Sequence, residues 1–374
     1  MDLQARLDAT VERALAEKRI VGSVTLVARD GKVVYRRAAG FFDREAGVPM
    51  REDAIFRLAS VTKPLVAATA LAMIERGLLG LDHAVSDHLP YFRPRLRDGS
   101  IAHITIRHLL THTSGLGYDF SADPEITTGL QQTEFDHEEN LIHVARLPLL
   151  FAPGTAWEYG INIDVLGAVL ARIHGGTLAD ALAHYVTGPL GMGDTGFAVT
   201  DVTRLAVPYC DGPPGLRRMA DPDTLVNPEG EKTVFSPSRI FNTTAFQSGG
   251  AGAVSTASDL LVFFETLRTG GGKILRAETV EMATRNQIGT LPRRAQDAGQ
   301  RFGFLGAIID DPVAAQSPAA RGTFRWGGIY GHEWSVDPTN RLTILSMTNT
   351  PYEGCSGQYR YDIRDAVYGR GPSR

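Results

Sequence analysis

An apolar run from Pro64 to Ile74 constrains the fold of this chain more than any other feature. Thr69 is the only polar residue in the run, and Glu75-Arg76-Gly77 then supply polar side chains and a helix stop. A membrane span needs roughly 20 apolar residues, so a run this short, apolar on every side, predicts a buried core helix. Pro64 is tolerated only in the first helical turn. The helix therefore begins near Ser60.

Ser60 and Lys63 stand three residues apart at this helix start. Serine is an ordinary N-cap, but a lysine in the first turn opposes the helix dipole and replaces the Glu or Gln of a capping box. Helix capping therefore explains Ser60 and leaves Lys63 unexplained. A hydroxyl beside an amine is typical of an activated serine nucleophile, provided that the pKa of the lysine falls by about three units. We expect burial, the helix N-terminus and a second cationic or hydroxyl neighbour to lower it.

The composition excludes several classes of protein. The 374 residues are 43% hydrophobic and 21% charged, with a net charge of −4, which predicts a globular protein without a basic surface for nucleic acid. The N-terminal residues alternate charged and apolar at helical spacing, without the hydrophobic segment of an export signal. Cys210 and Cys355 lack metal-type spacing. We expect a cytoplasmic protein with no nucleic-acid or membrane partner, and its oligomeric state stays open.

Strands are predicted at both ends of the chain and helices in the middle. A helix and a hairpin of residues 23–28 and 33–39 open the chain. Further strands are predicted at 302–309, 322–326, 332–336 and 342–348, and helices at 106–111, 140–146, 162–174, 178–186, 257–269 and 358–368. We predict an α+β fold in which residues 1–79 and 246–374 form an antiparallel sheet flanked by N- and C-terminal helices. Residues 80–245 are predicted to form an inserted, mostly helical domain, with the ligand cleft between the two parts.

Three further segments suit the walls of such a cleft. Tyr159 follows Pro153-Gly154 just before a predicted helix, where a tyrosine is more often a packing residue than a catalytic one. Trp326-Gly327-Gly328 would let a strand edge approach a substrate and present a backbone N–H, although a bulge explains the glycines equally well. Ser248 to Gly252 is either a glycine-rich wall or a turn, and it lacks the lysine of a phosphate-binding loop.

Two other hydrolase chemistries are disfavoured. The chain has no Gly-x-Ser-x-Gly, so the serine elbow of the α/β-hydrolases has no candidate. His108 and His112 are four residues apart on a predicted helix and could share a metal, but the glutamate of a zinc-protease helix is absent. We therefore expect no metal site and no cofactor.

Taken together, these motifs resemble the serine β-lactamase and DD-peptidase superfamily, and most closely its family VIII carboxylesterases. The resemblance spans nearly the whole chain and rests on Phe56 to Pro64, Leu109 to Leu116, Pro153 to Tyr159, Ser248 to Gly252 and Trp326-Gly327-Gly328. It implies that Ser60 is the nucleophile, Lys63 the base and Tyr159 a partner in proton transfer. It also implies an oxyanion hole formed by the backbone N–H groups of Ser60 and Ile329.

Two departures from the class C β-lactamases bear on the substrate. Their Tyr-x-Asn is not reproduced, because Asn162 stands three residues after Tyr159, and Trp326-Gly327-Gly328 replaces their Lys-Thr-Gly. Without that lysine, no cation is expected to hold a β-lactam carboxylate, which favours small to medium, uncharged carboxylic esters as substrates. The expected pocket residues are Trp157, Trp326, Gly327, Gly328, Tyr330, His332, Trp334 and Ser248.

Three alternatives stay open. An amidase, peptidase, transacylase or β-lactamase could use the same acyl-enzyme, since various acceptors can take up the acyl group. A non-catalytic binding protein could keep the scaffold, although the presence of Ser60, Lys63 and Tyr159 together argues against it. A metallohydrolase based on His108 and His112 would be sensitive to chelators.

Overall fold

The computed structural model describes residues 2–212, 215–227 and 230–371, and an antiparallel sheet runs through its centre. Within these residues the strands are, in chain order, β1 (Gly22–Arg29), β2 (Lys32–Asp43), β3 (Val48–Pro49), β4 (Ile55–Arg57), β5 (Tyr209–Cys210), β6 (Arg217–Arg218), β7 (Asp223–Val226), β8 (Lys232–Phe235), β9 (Val254–Thr256), β10 (Gln300–Phe302), β11 (Ala307–Ile309), β12 (Phe324–Gly328), β13 (His332–Asp337) and β14 (Leu342–Thr348). Eight of them form the central sheet in the order β10-β11-β12-β13-β14-β1-β2-β3. Strands from the two ends of the chain are thus neighbours.

Helices surround this sheet and fill the middle of the chain. They are α1 (Leu3–Ala16), α2 (Thr62–Glu75), α3 (Val85–His88), α4 (Ile106–Thr111), α5 (His137–Arg146), α6 (Asn162–His174), α7 (Leu178–Leu182), α8 (Gly188–Leu190), α9 (Ala257–Arg268), α10 (Ala277–Ala283), α11 (Pro351–Cys355) and α12 (Gln358–Tyr368). Several begin at capping side chains: Asp2, Thr105, Asp136 and Thr177 each accept a hydrogen bond from the backbone of the first turn.

The two faces of the sheet are covered by different helices. On one face, Val27 and Ile344, which are paired across β1 and β14, pack with residues of α1 and α12. On the other face, the paired residues Leu26 and Leu345 belong to the main core with α2 and α9. Side chains alternate between the faces of a strand, so these two strands bury both faces under helices.

Helix α2 is buried along almost its whole length. Its residues from Thr62 to Met73 are all buried, and a 3-10 turn at Ala59–Val61 leads into it. The predicted core helix beginning near Ser60 is therefore confirmed.

The predicted α+β class is confirmed, and the structure changes two of its details. The strand predicted at 302–309 is a hairpin of β10 and β11, closed by a hydrogen bond from the Gly303 N–H to the Gly306 carbonyl at 2.9 Å. The segment 80–245 is helical only as far as Leu190, since short ladders and 3-10 turns occupy its last part. Whether it is a separate domain stays a prediction.

Among the described residues, no single helix is both long and apolar enough to cross a membrane. The pair Asn162–His174 and Leu178–Leu190, bent by 81°, meets that criterion by length and composition only.

Arg19 connects the beginning of the chain to its end. Its guanidinium donates to Glu353 at 2.6 Å, to Glu17 at 2.8 Å and to Asp362 at 3.0 Å. The Asp362 side chain is only 4% exposed, and its other cationic neighbour, Arg13, is 3.7 Å away. Removing Arg19 would leave this buried carboxylate poorly compensated.

We expect Arg19→Met to lower the free energy of unfolding by about 3 kcal/mol in urea denaturation, since it breaks a buried ion pair from one side. The control Arg51→Met removes the exposed pair with Asp53 and should cost less than about 1 kcal/mol. Equal losses in the two variants would contradict the proposed connection.

Candidate active site

Ser60 lies in a turn at the start of α2 that is fixed from two sides. Ala59 has a left-handed backbone conformation, with φ of 45°, which is strained for a residue with a side chain. The Leu58 N–H donates to the Ala253 carbonyl at 2.8 Å. A Cβ atom at Gly328 would lie 2.2 Å from the Leu58 carbonyl oxygen, so strand β12 can approach this turn only with glycine there.

The end of β12 brings a free backbone donor beside this turn. The strand ends at Gly328, and the N–H of the next residue, Ile329, has no hydrogen-bond acceptor within the described parts of the chain. The N–H of Ser60 lies in the first turn of a helix, where donors lack intrahelical acceptors. Two such donors suit a tetrahedral oxyanion. The oxyanion hole of Ser60 and Ile329 stays a prediction.

Lys63 reaches back from α2 to Ser60. Its Nζ donates to Ser60 Oγ at 3.1 Å and to the Gly250 carbonyl at 2.8 Å. The same nitrogen lies 4.8 Å from the centre of the Tyr159 ring and 5.6 Å from that of Tyr118. The structure thus brings Ser60, Lys63 and Tyr159 together, as the sequence predicts.

The predicted decrease in the pKa of Lys63 is wrong in direction. Burial does lower this pKa, but the attraction of Tyr118, Tyr159 and Asp164 outweighs burial, so the pKa lies above its ordinary value. The expected hydroxyl neighbours are present in Tyr118 and Tyr159, and the charged neighbour is an acid: Asp164 is wholly buried in α6 and accepts a hydrogen bond from the Ser248 hydroxyl. Burial raises the pKa of Asp164 itself. These surroundings favour the ammonium form of Lys63.

Tyr159 is held on one side by Trp326. The indole Nε1–H donates to the Tyr159 hydroxyl at 3.0 Å, and the ring centroids are 5.0 Å apart. Phe302 packs edge-on against Trp326 with a centroid distance of 5.3 Å. A hydroxyl that accepts a hydrogen bond in this way keeps its own proton free for another group.

His112 holds Tyr159 on the other side. Its carbonyl accepts a hydrogen bond from the Glu158 N–H at 3.0 Å, and its Nδ1 accepts one from the Gly160 N–H at 3.3 Å. The imidazole lies against the Tyr159 ring at a centroid distance of 4.7 Å. Burial lowers the pKa of His112 well below its usual value, so the ring is neutral and Nδ1 can accept. His112 therefore positions the tyrosine.

Four of the predicted pocket residues lie behind the cleft rather than on its surface. Trp157 is 6% exposed and packs on Phe302, while Ser248 is fully buried with its hydroxyl on Asp164. Tyr330 packs against Phe235. Gly327 faces the opposite side of the sheet, where an added Cβ would lie 3.1 Å from Cys355 Sγ.

His332 and Trp334 do not line the cleft at all. His332 is 2% exposed, and its Nε2 is hydrogen-bonded to the Arg57 carbonyl at 2.8 Å. Trp334 is 1% exposed and stacks on Phe264 of α9 at a centroid distance of 4.2 Å. Both residues alternate with Glu333 on β13 and face the core side of the sheet. Of the predicted wall, Trp326 contacts Tyr159 and Gly328 lies against the turn that carries Ser60.

The ring nitrogens of His108 and His112 have structural partners. His108 Nδ1 accepts a hydrogen bond from the Thr105 N–H at 3.2 Å, and His112 Nδ1 also lies 3.0 Å from Asn162 Nδ2. Within the described residues, the one group of potential metal ligands is Asp123, Glu125 and His143, which includes neither histidine. Asn162 is buried in this network and also accepts a hydrogen bond from the Ser114 hydroxyl at 2.5 Å.

Tyr118, Asp164 and the positioning role of His112 were missed by sequence reasoning. A signal existed for Asp164, because it is the one acidic residue in an otherwise apolar helix start. Tyr118 follows the Leu116-Gly117 segment without a distinctive pattern, and only the fold places its ring near Lys63.

Comparison with known proteins gives consistent relatives. The family model described as Beta-lactamase matches residues 7–368. Esterase EstB of Burkholderia gladioli is 48% identical over 377 residues, covering 98% of this chain and 96% of that protein. The structure of EstCE1, described as a hydrolase with promiscuous acyltransferase activity, is 42% identical with a TM-score of 0.95, covering 98% of both chains. Simvastatin synthase of Aspergillus terreus, 23% identical with a TM-score of 0.76, covers 99% of this chain and 98% of its own and shows the fold alone.

We expect Trp326→Phe to lower kcat/KM for a p-nitrophenyl ester about 10- to 100-fold, because it removes the hydrogen bond to the Tyr159 hydroxyl while keeping an aromatic ring. The matched control is Trp157→Phe in the same aromatic cluster, since the buried Trp157 Nε1 has no partner within the described residues. Trp157→Phe should change kcat/KM less than about threefold. Similar losses in both variants would exclude the role of the indole N–H.

Proposed function

The chain belongs to the beta-lactamase family, and we propose that it is a serine carboxylesterase that forms an acyl-enzyme on Ser60. The observation that carries this proposal is the 3.1 Å contact between Lys63 Nζ and Ser60 Oγ inside a site closed by Tyr159 and Trp326. Esterase EstB, at 48% identity over nearly the full length, supports ester hydrolysis as the reaction.

In the first half-reaction, Ser60 Oγ attacks the ester carbonyl and passes its proton to the Lys63–Tyr159 pair. Because Lys63 rests as an ammonium, the fully protonated Lys63–Tyr159 pair cannot accept the serine proton. The active form of the pair is the one that has already released a proton, and the two residues titrate as a unit. The backbone N–H groups of Ser60 and Ile329 stabilise the oxyanion, each by on the order of 100-fold. The pair then returns the proton to the alkoxide as the C–O bond breaks.

In the second half-reaction, water takes the place of the alcohol. The pair accepts a proton from water as water attacks the acyl carbonyl, and it gives a proton back to Ser60 Oγ as the acyl bond breaks. The products are a carboxylic acid and free enzyme. No cofactor enters either step.

The walls of the site favour uncharged esters. Trp326 stands where a substrate-binding cation would be needed for a β-lactam carboxylate, and the indole N–H is used by Tyr159. The guanidinium of Arg293 lies behind this wall, 4.5 Å from the centre of the Trp157 ring and 5.9 Å from that of Trp326. We propose small to medium carboxylic esters as substrates and a slow reaction, at best, with cephalosporins.

Acyl transfer to an alcohol is the second candidate function. EstCE1, at 42% identity and a TM-score of 0.95, is described as having promiscuous acyltransferase activity. The same acyl-enzyme serves both reactions, because only the acceptor in the second half-reaction differs. Adding an alcohol to a p-nitrophenyl ester assay and measuring ester against acid in the product separates the two.

The nucleophile is tested by labelling the folded protein with a fluorophosphonate and measuring its intact mass. We expect one adduct on the wild type and none on Ser60→Ala, with kcat for p-nitrophenyl acetate falling on the order of 10⁴-fold or more. The control Ser248→Ala alters a fully buried serine of the same site and should keep the label. Labelling of Ser60→Ala would place the nucleophile elsewhere, and no labelling of the wild type would favour a binding protein.

The influence of Asp164 on Lys63 is tested by the pH dependence of kcat/KM. Asp164→Asn removes a charge that raises the pKa of Lys63, so this pKa should fall. Because the active form of the pair has lost a proton, the acid limb should then move to lower pH, by on the order of one unit.

The matched control is Asp259→Asn. Burial raises the pKa of Asp259 as well, and its carboxyl group accepts a hydrogen bond from the Thr195 hydroxyl. Asp259 does not contribute to the pKa of Lys63, so the acid limb of kcat/KM in Asp259→Asn should stay at the pH of the wild type. If the acid limb of kcat/KM does not move in Asp164→Asn, the Asp164 carboxylate does not control the titration of Lys63 and Tyr159.

A further inference from the structure

A small pocket is lined in part by the loop Ser248–Gly252. It measures about 50 Å³, and we call it the Arg239 pocket. Its walls include Arg57, Arg239, Phe246, Gln247, Ser248 and Tyr330. No aspartate or glutamate lines it, although two arginines do.

Arg239 lines this pocket and has one unused donor. Its Nε donates to the Gly129 carbonyl at 2.9 Å and its Nη2 to the Phe246 carbonyl at 2.8 Å. Its Nη1 is buried and has no hydrogen-bond partner in the parts of the chain that the structure describes. The side chain is 8% exposed, and no carboxylate within those parts forms a salt bridge with it. A guanidinium buried with a free N–H requires an acceptor.

Arg57 adds a second positive charge to the same walls. Its Nε and Nη1 donate to the backbone carbonyls of Pro237 at 2.8 Å and Ala206 at 3.2 Å, so neutral groups satisfy this arginine as well. Burial lowers the pKa of both guanidinium groups, that of Arg239 to about 10, because desolvation disfavours the charged form. Asp164 attracts the positive charge of Arg239, and the Asp164 carboxylate accepts a hydrogen bond from the Ser248 hydroxyl.

We propose that the Arg239 pocket binds one small monovalent anion, a halide or a carboxylate of one or two carbons, through Nη1 of Arg239. A water needs about 10 to 15 Å³ of such space, so the volume admits one small ion with a few waters. The charge on the walls selects an anion over water alone. This site is distinct from the ester-binding cleft and goes beyond the proposed esterase function.

The experiment measures the melting temperature of the full chain against the concentration of sodium bromide or sodium acetate. Sodium gluconate, whose anion is much larger than bromide or acetate, keeps the ionic strength constant. An anion that binds only the folded protein raises the melting temperature with saturation, by several degrees at 100 times its Kd. A rise with bromide alone identifies a halide site, and a rise with acetate as well identifies a site that also takes the acid product of an acetyl ester.

Arg239→Met should abolish the saturable rise, whereas the control Arg204→Met, which removes an arginine paired with Asp194, should keep it. A crystal of the wild type soaked in bromide should show an anomalous peak beside Arg239 Nη1, which tests the site even if Arg239→Met fails to fold. Equal melting temperatures in bromide, acetate and gluconate, or a crystal with only water at this position, would overturn the proposal. None of these readouts uses catalytic activity, so failure here is separate from failure of the esterase function.

Discussion

The charge on Lys63 is the constraint on which the rest of the site depends. A buried ammonium is stable only where acceptors and a counter-charge surround it. Ser60 Oγ and the Gly250 carbonyl accept its hydrogen bonds, and Asp164 supplies the negative charge from helix α6. Three separate segments must therefore converge on one nitrogen. This requirement determines where the serine, the glycine-rich loop and the tyrosine segment lie.

The sequence predicts the framework well because its strongest signals are local. An apolar run of helical length cannot be exposed, so the burial of α2 and its start near Ser60 follow from residues 60 to 77 alone. The alternating strands at the two ends of the chain likewise predict one antiparallel sheet. The hairpin at 300–309 was missed because its two strands are too short to show alternation across the turn.

The candidate site could be predicted only in part. Ser60, Lys63 and Tyr159 are recognisable by motif, but their surroundings are set by contacts distant in sequence. The sequence does not reveal which of Trp326 and Trp334 lies at the site. The two residues are direct cross-strand partners on neighbouring strands. One contacts Tyr159 and the other is stacked on Phe264 in the core. The direction of the pKa shift of Lys63 depended on Asp164, whose proximity to the lysine only the packing of α6 against α2 reveals.

The pairing of β1 with β14 has a consequence for biosynthesis. A ribosome releases the segment that carries Ser60 long before strand β12, and β1 can pair with β2 but not with β14 until the last strand has emerged. During most of translation Ser60 is thus present without the strand end that packs against its turn. A chain that stops before β14 would leave one edge of β1 unpaired, and an unpaired strand edge is prone to pair with another chain.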